Sequence, residues 1–369
     1  MTSTAGLCYR ASLAHDVAQR DGTVQTGDMS SETAMAREAK EAPQRVQAQL
    51  EMDAQRVSDI AAELRQFAPR AVLTCARGSS DHAATYARYL IETRLGLLTA
   101  SASPSVSSVY GVRQDLDRCL FLVLSQSGKS PDLLAAAAAA KQSGALVIAL
   151  VNMEDTPLTA MADHVIPLRA GAETSVAATK SYICALAASF HLVARWTDKS
   201  ALLKPLETLP ARLDDAWRLD WQPMVEMLTP ASNLFVLGRG LGLSAAQEAA
   251  LKFKETCGLH AEAFSGAEVR HGPMALMKKN LPVLMFAQDD ETHAGMTALA
   301  QDLTASGAKV LMAGGGAPGV TELPTVPADA VVAPLLFAQS FYRWAADLAL
   351  ARGFDPDHPP HLKKVTETF

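Results

Sequence analysis

Cys119-Leu-Phe-Leu-Val-Leu-Ser-Gln-Ser-Gly-Lys-Ser130 decides how this chain is read. An apolar run of strand length stops abruptly at Ser125, Gln126, Ser127 and Ser130. A helical pattern opens at Pro131-Asp132 and continues through a run of alanines. The hydroxyls therefore sit in a turn at a helix N-terminus, where free backbone N–H groups and the helix dipole favour an anion. Serines without a large cation make a neutral cradle that suits a phosphate monoester. Gly128-Lys129-Ser130 imitates the end of a nucleotide P-loop, but that motif needs a glycine where Val123 stands, so the P-loop reading fails. A plain serine-rich turn remains the alternative for this loop alone.

From Ala71 onward, strands alternate with helices. Ala71–Cys75 reads as a buried strand followed by the turn Arg77-Gly-Ser-Ser80 and a helix over Ala83–Glu92. The strands Leu120–Leu124, Ala145–Val151 and one within Ala162–Leu168 follow, with helices at Pro131–Ser143 and Ser175–Thr197. The same order then returns. Asn233–Gly240 matches the Ala71–Gly78 strand and turn, with Arg77-Gly78 falling on Arg239-Gly240, and the helix Ser244–Cys257 follows. Strands at Pro282–Ala287 and Val310–Ala313 and a helix at Leu335–Arg352 complete the second copy. This is a tandem duplication of one α/β unit, which predicts two parallel sheets covered by helices. Such sheets bind ligands outside the carboxyl ends of their strands. Upstream, Ser31 reads as the cap of a helix Ala34–Glu41, Pro43 interrupts or restarts it, and Gln44–Phe67 reads as one amphipathic region. The expected divisions are an N-terminal segment at 1–30, a first unit at 31–215, a second at 216–352 and a tail at 353–369. The join carries Pro205, Pro210 and Pro223.

Composition sets the outer bounds. The chain has 369 residues, 49% hydrophobic and 20% charged, enough for two ordinary units with sizeable cores. The net charge of -6 and the lack of a basic run argue against nucleic acid as a partner. Five scattered cysteines without a Cys-x-x-Cys pair fit a reducing compartment. With no leader pattern and no apolar run of about 18 residues, no membrane association is expected and the expected location is the cytoplasm.

Neither a metal nor another cofactor is expected: the sequence lacks a His-Glu-x-x-His pair and a spaced Cys/His cluster. Gly238-Arg-Gly-Leu-Gly242 has Leu243 in place of the third glycine of a dinucleotide fingerprint, and no Gly-x-Ser-x-Gly elbow is present. A richer constellation starts at Glu248. Glu248, Lys252 and Glu255 share one helix face by their spacing. A carboxylate beside a cation, partly buried, suits general base work; a surface ion pair fits the same spacing. The glycine-punctuated loop Ala263–Pro273 carries Glu268 and His271, with a structural histidine as the alternative reading. The tail Asp355–Thr366 is too polar and proline-rich for a core element; it is either a flap that brings Lys363 or Lys364 over a site or an unstructured end.

These residues resemble the sugar isomerase (SIS) family, and within it the isomerase half of glucosamine-6-phosphate synthase. The matching stretches are Gly78-Ser-Ser80, Ser125-Gln-Ser-Gly-x-Ser130, Val176-Ala-Ala-Thr-Lys180, Gly238-Arg-Gly240, Ala250–Glu255, His260-Ala-Glu262, Gly266–Pro273 and the tail lysine. The resemblance covers about residues 33–369. It implies two flavodoxin-like subdomains in tandem. By position, Ser80, Ser125, Gln126, Ser127 and Ser130 would hold the sugar phosphate, while Ser79 and the backbone near Val176 border the sugar. Glu255 would move the proton between C1 and C2, with Lys252 assisting it. His271 would open the sugar ring from a partner subunit, implying a homodimer with shared sites. Lys364 matches a lysine that can form an imine with an open-chain ketose. Two departures stand out: Thr2-Ser3 follow Met1 where the synthase begins a glutaminase half, and Ala178 replaces a usual hydroxyl residue. The chain thereby resembles the family's stand-alone deaminases and deglycases. The expected activity is deamination of glucosamine 6-phosphate to fructose 6-phosphate. Alternatives are a fructosamine-6-phosphate deglycase, a galactosamine-6-phosphate deaminase, an aldose–ketose isomerase or, in a different class, a non-catalytic sugar-phosphate sensor.

Overall fold

The computed structural model describes residues 33–277 and 279–364. Three helices come first: α1 (Ala34–Lys40), α2 (Ala42–Met52) and α3 (Ala54–Phe67). The first repeat then runs β1 (Ala71–Cys75), α4 (Ser79–Leu95), β2 (Thr99–Ser101), α5 (Pro104–Ser108), β3 (Cys119–Ser125), α6 (Pro131–Gln142), β4 (Leu146–Val151), α7 (Pro157–Met161), β5 (His164–Pro167) and α8 (Lys180–Trp196). Helices α9 (Leu203–Trp217) and α10 (Gln222–Leu228) lead to the second repeat. It comprises β6 (Asn233–Gly238), α11 (Leu243–Cys257), β7 (His260–Ser265), β8 (Pro282–Phe286), α12 (His293–Ala305), β9 (Lys309–Ala313), β10 (Thr321–Leu323) and α13 (Ala333–Ala351).

Both sheets are parallel throughout and have five strands, in the orders β2-β1-β3-β4-β5 and β10-β9-β8-β6-β7. Counted from each repeat's first strand, the two orders are the same, so the duplication read from the sequence is a duplication of topology. The order reverses between β1 and β3 and again between β6 and β8. These are the switch points where doubly wound sheets take ligands.

Strand alternation sorts the core into layers. Leu120, Leu122 and Leu124 of β3 face a large central core shared with α1 to α4, α8, α11 and α13. Phe121 and Val123 face the other way, against Leu133, Ala136 and Ala137 of α6. In the second sheet, Leu284 and Phe286 join the central core, whereas Val283 and Met285 pack on Met296, Leu299 and Leu303 of α12. Helices thus fill the space between two sheets, with α6 and α12 outside. Nearly every residue of α8 is buried, as expected of a helix apolar on all sides.

Several local expectations shift. Thr33, not Ser31, caps α1: its hydroxyl accepts from the Ala36 N–H, while Ser31 lies outside the described residues. Pro43 starts α2, as a proline in a first turn does. The expected single region Gln44–Phe67 is two helices broken at Asp53. That residue is buried, and its carboxylate is gripped by both Nε and Nη2 of Arg169. Helix α4 starts earlier than expected, at Ser79, and α8 starts later, at Lys180, leaving 175–179 as a loop. The join is helical, and α9 runs through Pro210. The strands β2, β7 and β10 were not anticipated; two are three residues long and β7 is an edge strand.

Replacing Arg169 with Met leaves the Asp53 carboxylate buried, with only Arg56 at 3.8 Å as a cation partner. Urea unfolding is expected to show a loss of about 2–3 kcal/mol, since removing one member of a buried pair strands its charge. No loss would mean that solvent already reaches Asp53.

Candidate active site

The turns that follow β1 and β3 meet at the first switch point. Arg77 ties them together: its Nε and Nη2 each lie 2.8 Å from Oδ2 of the buried Asp132, in the first turn of α6. Gly78 precedes α4 with φ of 56°, so Ser79 and Ser80 occupy that helix's first turn. Ser130 stands at the N-cap of α6 with no capping bond from its own hydroxyl. Two helix N-termini therefore border one space, and both favour an anion there. The serine loop is braced internally: Ser125 Oγ accepts from the Gly128 N–H at 3.0 Å, and Ser127 Oγ from the Lys129 N–H at 3.3 Å. Gly128 is required there. Its φ is 62°, and a Cβ would lie 2.4 Å from Thr156 Oγ1.

A cavity of about 310 Å³ opens at this point. Its lining includes Ser79, Ser80, Ser125, Gln126, Ser127, Ser130 and Val176, together with Glu255 from α11 and Lys364 from the tail. Nine of the eleven residues singled out from sequence thus border one space. Lys252 stands just behind it. Its Nζ donates to Glu255 Oε2 and, at 3.2 Å, to Ser79 Oγ. It is fully buried, so the surface ion-pair reading of this helix face does not hold. His271 does not line the cavity; it is exposed on the 3-10 turn Glu268–His271. Ala178, the departure from the usual hydroxyl residue, lines the cavity wall.

Among the participants not singled out from sequence are Tyr182, Leu362 and Glu173. Tyr182 and Leu362 line the cavity. Glu173 is wholly buried beside it and pairs with Lys364 Nζ at 2.9 Å. Its signal was the acid that precedes the Val176–Lys180 motif.

Glu248 anchors the charges. Its carboxylate is reached by Lys252 Nζ at 3.3 Å, Ser79 Oγ at 3.1 Å, Tyr342 OH at 2.9 Å and His82 Nδ1 at 2.9 Å. Burial by itself pushes the Glu248 carboxyl up, but Lys252 and His82 outweigh it and hold it below the ordinary value. Burial likewise works against the Lys252 ammonium, and the Glu248 and Glu255 carboxylates keep it above the usual lysine range.

The equivalent loop of the second repeat is bonded differently. Cys75 pairs with Val123, and Gly238 with Phe286. With Ala76 aligned to Gly238, this register puts Gln126 and Gln288 in the same place. There Asp290 turns its carboxylate onto its own loop, accepting from the Thr292 N–H at 2.8 Å and Gln288 Nε2 at 2.8 Å. The chain's own anion sits where the first repeat leaves room for a foreign one.

A doubly wound repeat with a cavity at its first switch point places the chain among the α/β proteins of two tandem parallel sheets. The SIS domain model matches residues 68–194 and 227–313, one stretch in each repeat, and the chain belongs to that family. It is 33% identical over 300 residues to the isomerizing glutamine–fructose-6-phosphate aminotransferase of Legionella pneumophila, a match covering 78% of this chain and 49% of that enzyme. The chain thus spans about half the length of the curated relatives it matches. A structure from Silicibacter pomeroyi DSS-3, described as a phosphosugar isomerase, superposes with a TM-score of 0.85 at 44% identity, covering 88% of this chain and all of that one. Glucosamine-6-phosphate deaminase from Thermotoga maritima superposes with a TM-score of 0.73 at 22% identity, covering 91% of this chain and 100% of the other, a likeness of fold alone. Among the described residues, no helix is long and apolar enough to cross a membrane.

The depressed Glu248 carboxyl has a consequence for acid stability. A carboxylate whose folded value lies below its unfolded one stabilises fully above the unfolded value, and that contribution is lost as pH falls through the folded value. Glu173, also held below its ordinary value, contributes in the same direction. Unfolding free energy from urea titrations is expected to drop as pH is taken below about 4.5. Glu248→Gln is expected to flatten that fall; an unchanged slope would refute the assignment.

Proposed function

We propose that the chain is a phosphosugar isomerase that deaminates glucosamine 6-phosphate to fructose 6-phosphate and ammonia. The observation that carries this reading is the single cavity joining the serine loop to Glu255. An anion cradle at one end and an ionisable carboxylate at the other suit a six-carbon sugar phosphate gripped at C6 and reacting at C1 and C2. The relative from Legionella pneumophila is named for isomerising amination of fructose 6-phosphate. Deamination is the hydrolytic direction of the same sugar interconversion.

In this reading the phosphate lies against Ser80, Ser125, Gln126, Ser127 and Ser130, with the N-termini of α4 and α6 behind them. Ser79 and the backbone near Val176 border the sugar. His271, exposed on its turn, opens the ring in the cavity of a second copy, which makes the working unit a homodimer. Glu255 then takes the proton from C2 of the open-chain aldose, and the pair of electrons moves to give a C1–C2 enolamine. Lys252, donating to Glu255, keeps that carboxylate placed and offsets its charge. Return of the proton to C1 leaves the imine of fructose 6-phosphate at C2. Water adds to this imine, and ammonia leaves. The residues do this by holding, orienting and moving one proton.

Purified protein offered a panel of 6-phosphates is expected to release ammonia and fructose 6-phosphate in equal amounts from glucosamine 6-phosphate. Ammonia from fructosamine or galactosamine phosphates instead would reassign the substrate, and ammonia from none of them would reject the deaminase reading. Glu255→Gln is expected to lower kcat by about 10²–10⁴-fold with little change in KM. A protein that kept full turnover would lose Glu255 as the base.

Gly128→Ala tests the cradle separately. Forcing a side chain into a left-handed backbone against Thr156 distorts the serine loop. Calorimetric affinity for fructose 6-phosphate is expected to fall by about tenfold or more, equivalent to about 1.4 kcal/mol. Unaltered affinity would move the phosphate elsewhere.

A further inference from the structure

Glu173 carries none of the roles assigned above, yet it is the most thoroughly bonded acid at the cavity's edge. It lies in the loop between β5 and α8, and its side chain is wholly buried. Oε1 accepts the Thr179 N–H at 2.9 Å and the Ser181 N–H at 3.1 Å. Oε2 accepts the Ser181 hydroxyl at 2.7 Å and Lys364 Nζ at 2.9 Å. The same Nζ donates to the Ser175 carbonyl at 2.8 Å. Both acceptors of this amine are oxygens, one of them charged, which suits an ammonium group.

The arrangement is braced on both sides. Behind the loop, Glu38 of α1 accepts from the N–H and hydroxyl of Thr174 and from the Ser175 N–H. In the tail, the Asp357 carboxylate accepts the N–H groups of Ala34 and Met35, each at 2.7 Å, and Pro356 and Pro359 are buried. The tail is therefore held at Asp357 and again at Lys364, and α1 connects the two anchors. The charged groups around Lys364 are Glu173 in the loop, Glu38 behind it, Lys363 beside it in the tail, and Arg77 and Glu255 on the cavity wall.

We propose that Glu173 is the positioning residue that parks Lys364 as an ammonium ion at the mouth of the cavity. Lys364 becomes a nucleophilic amine only when it leaves Glu173. Burial pushes the Glu173 carboxyl up, but Lys364 and Ser181 hold it below the ordinary value, consistent with an ion pair rather than two neutral groups. The effect on turnover rests on the deaminase reading; the parking of Lys364 does not.

The test labels the ligand-free, full-length protein with acetic anhydride at one fixed pH, read as a rate by mass spectrometry of the tail peptide. Only the free amine attacks the anhydride carbonyl; acetate leaves and the proton passes to solvent. Exposed Lys363 serves as the internal reference. In the wild type, Lys364, held by Glu173 and the Ser175 carbonyl, is expected to react more slowly than Lys363. Glu173→Gln is expected to raise the Lys364 labelling rate severalfold, towards that of Lys363, since the charged acceptor that holds the amine is gone. Asp357→Ala, which leaves the bonds of Glu173 to α8 intact, is expected to bring Lys364 labelling towards that of Lys363. It keeps the test decisive if Glu173→Gln does not fold. Equal labelling of the two lysines in the wild type would overturn the proposal, as would a Lys364 labelling rate unchanged in folded Glu173→Gln, or Asp357→Ala labelling unchanged from wild type. In the ammonia assay, Glu173→Gln is expected to change the pH dependence of kcat while leaving KM near its wild-type value. A wild type that releases no ammonia would sink the deaminase reading and leave the labelling result standing.

Discussion

The structure depends on a buried carboxylate at the seam between the repeats. Glu248 sits on α11 of the second repeat, yet two of its partners, Ser79 and His82, belong to α4 of the first, and Tyr342 comes from α13. An isolated buried ion costs several kcal/mol in lost hydration, and only well-placed donors and an opposite charge offset that cost. The partners come from α4, α11 and α13, so the charge is satisfied only when the repeats dock in one register. The same docking delivers Lys252 to Glu255 and carries Glu255 across the seam to the serine loops of the first sheet. Packing and site geometry are thus consequences of one electrostatic constraint.

The two copies of one topology have divided their labour at equivalent positions. After β3, serines bond the backbone of their own loop and leave the N-terminus of α6 facing a cavity. After β8, Asp290 satisfies its own loop and the start of α12 is closed by an internal anion. A fixed carboxylate at a helix N-terminus has the same electrostatic attraction as a bound phosphate, without the entropy cost of capturing one. The second copy contributes α11, with its charged face turned to the first.

Local elements were readable wherever the hydrophobic period was unambiguous. The run Leu120–Leu124 and the alanine-rich helix after it came out close to their observed bounds, because alternation and helical period report burial directly. The helix ends were less legible. The break at Asp53 follows from Arg169, which is far away in sequence and reaches it only after β5 has paired in the sheet. Likewise the loop 175–179 is pinned at its two ends, where Glu38 takes the Ser175 N–H and Glu173 the Thr179 N–H, bonds that no local pattern encodes. Glu173 was not singled out from sequence, since nothing near it in the chain announces Lys364.

The sequence by itself determined the repeat, the parallel sheets, the serine cradle and the pairing of Lys252 with Glu255, because each is written within a single strand, turn or helix face. Only the tertiary structure decided that nine of those residues share one cavity, that the Lys252 pair is buried rather than at the surface, and that the tail lysine is held by Glu173. The physical reason is range. Side-chain period and turn chemistry act over a few residues, whereas desolvation and ion pairing depend on which distant segments exclude water from the same space.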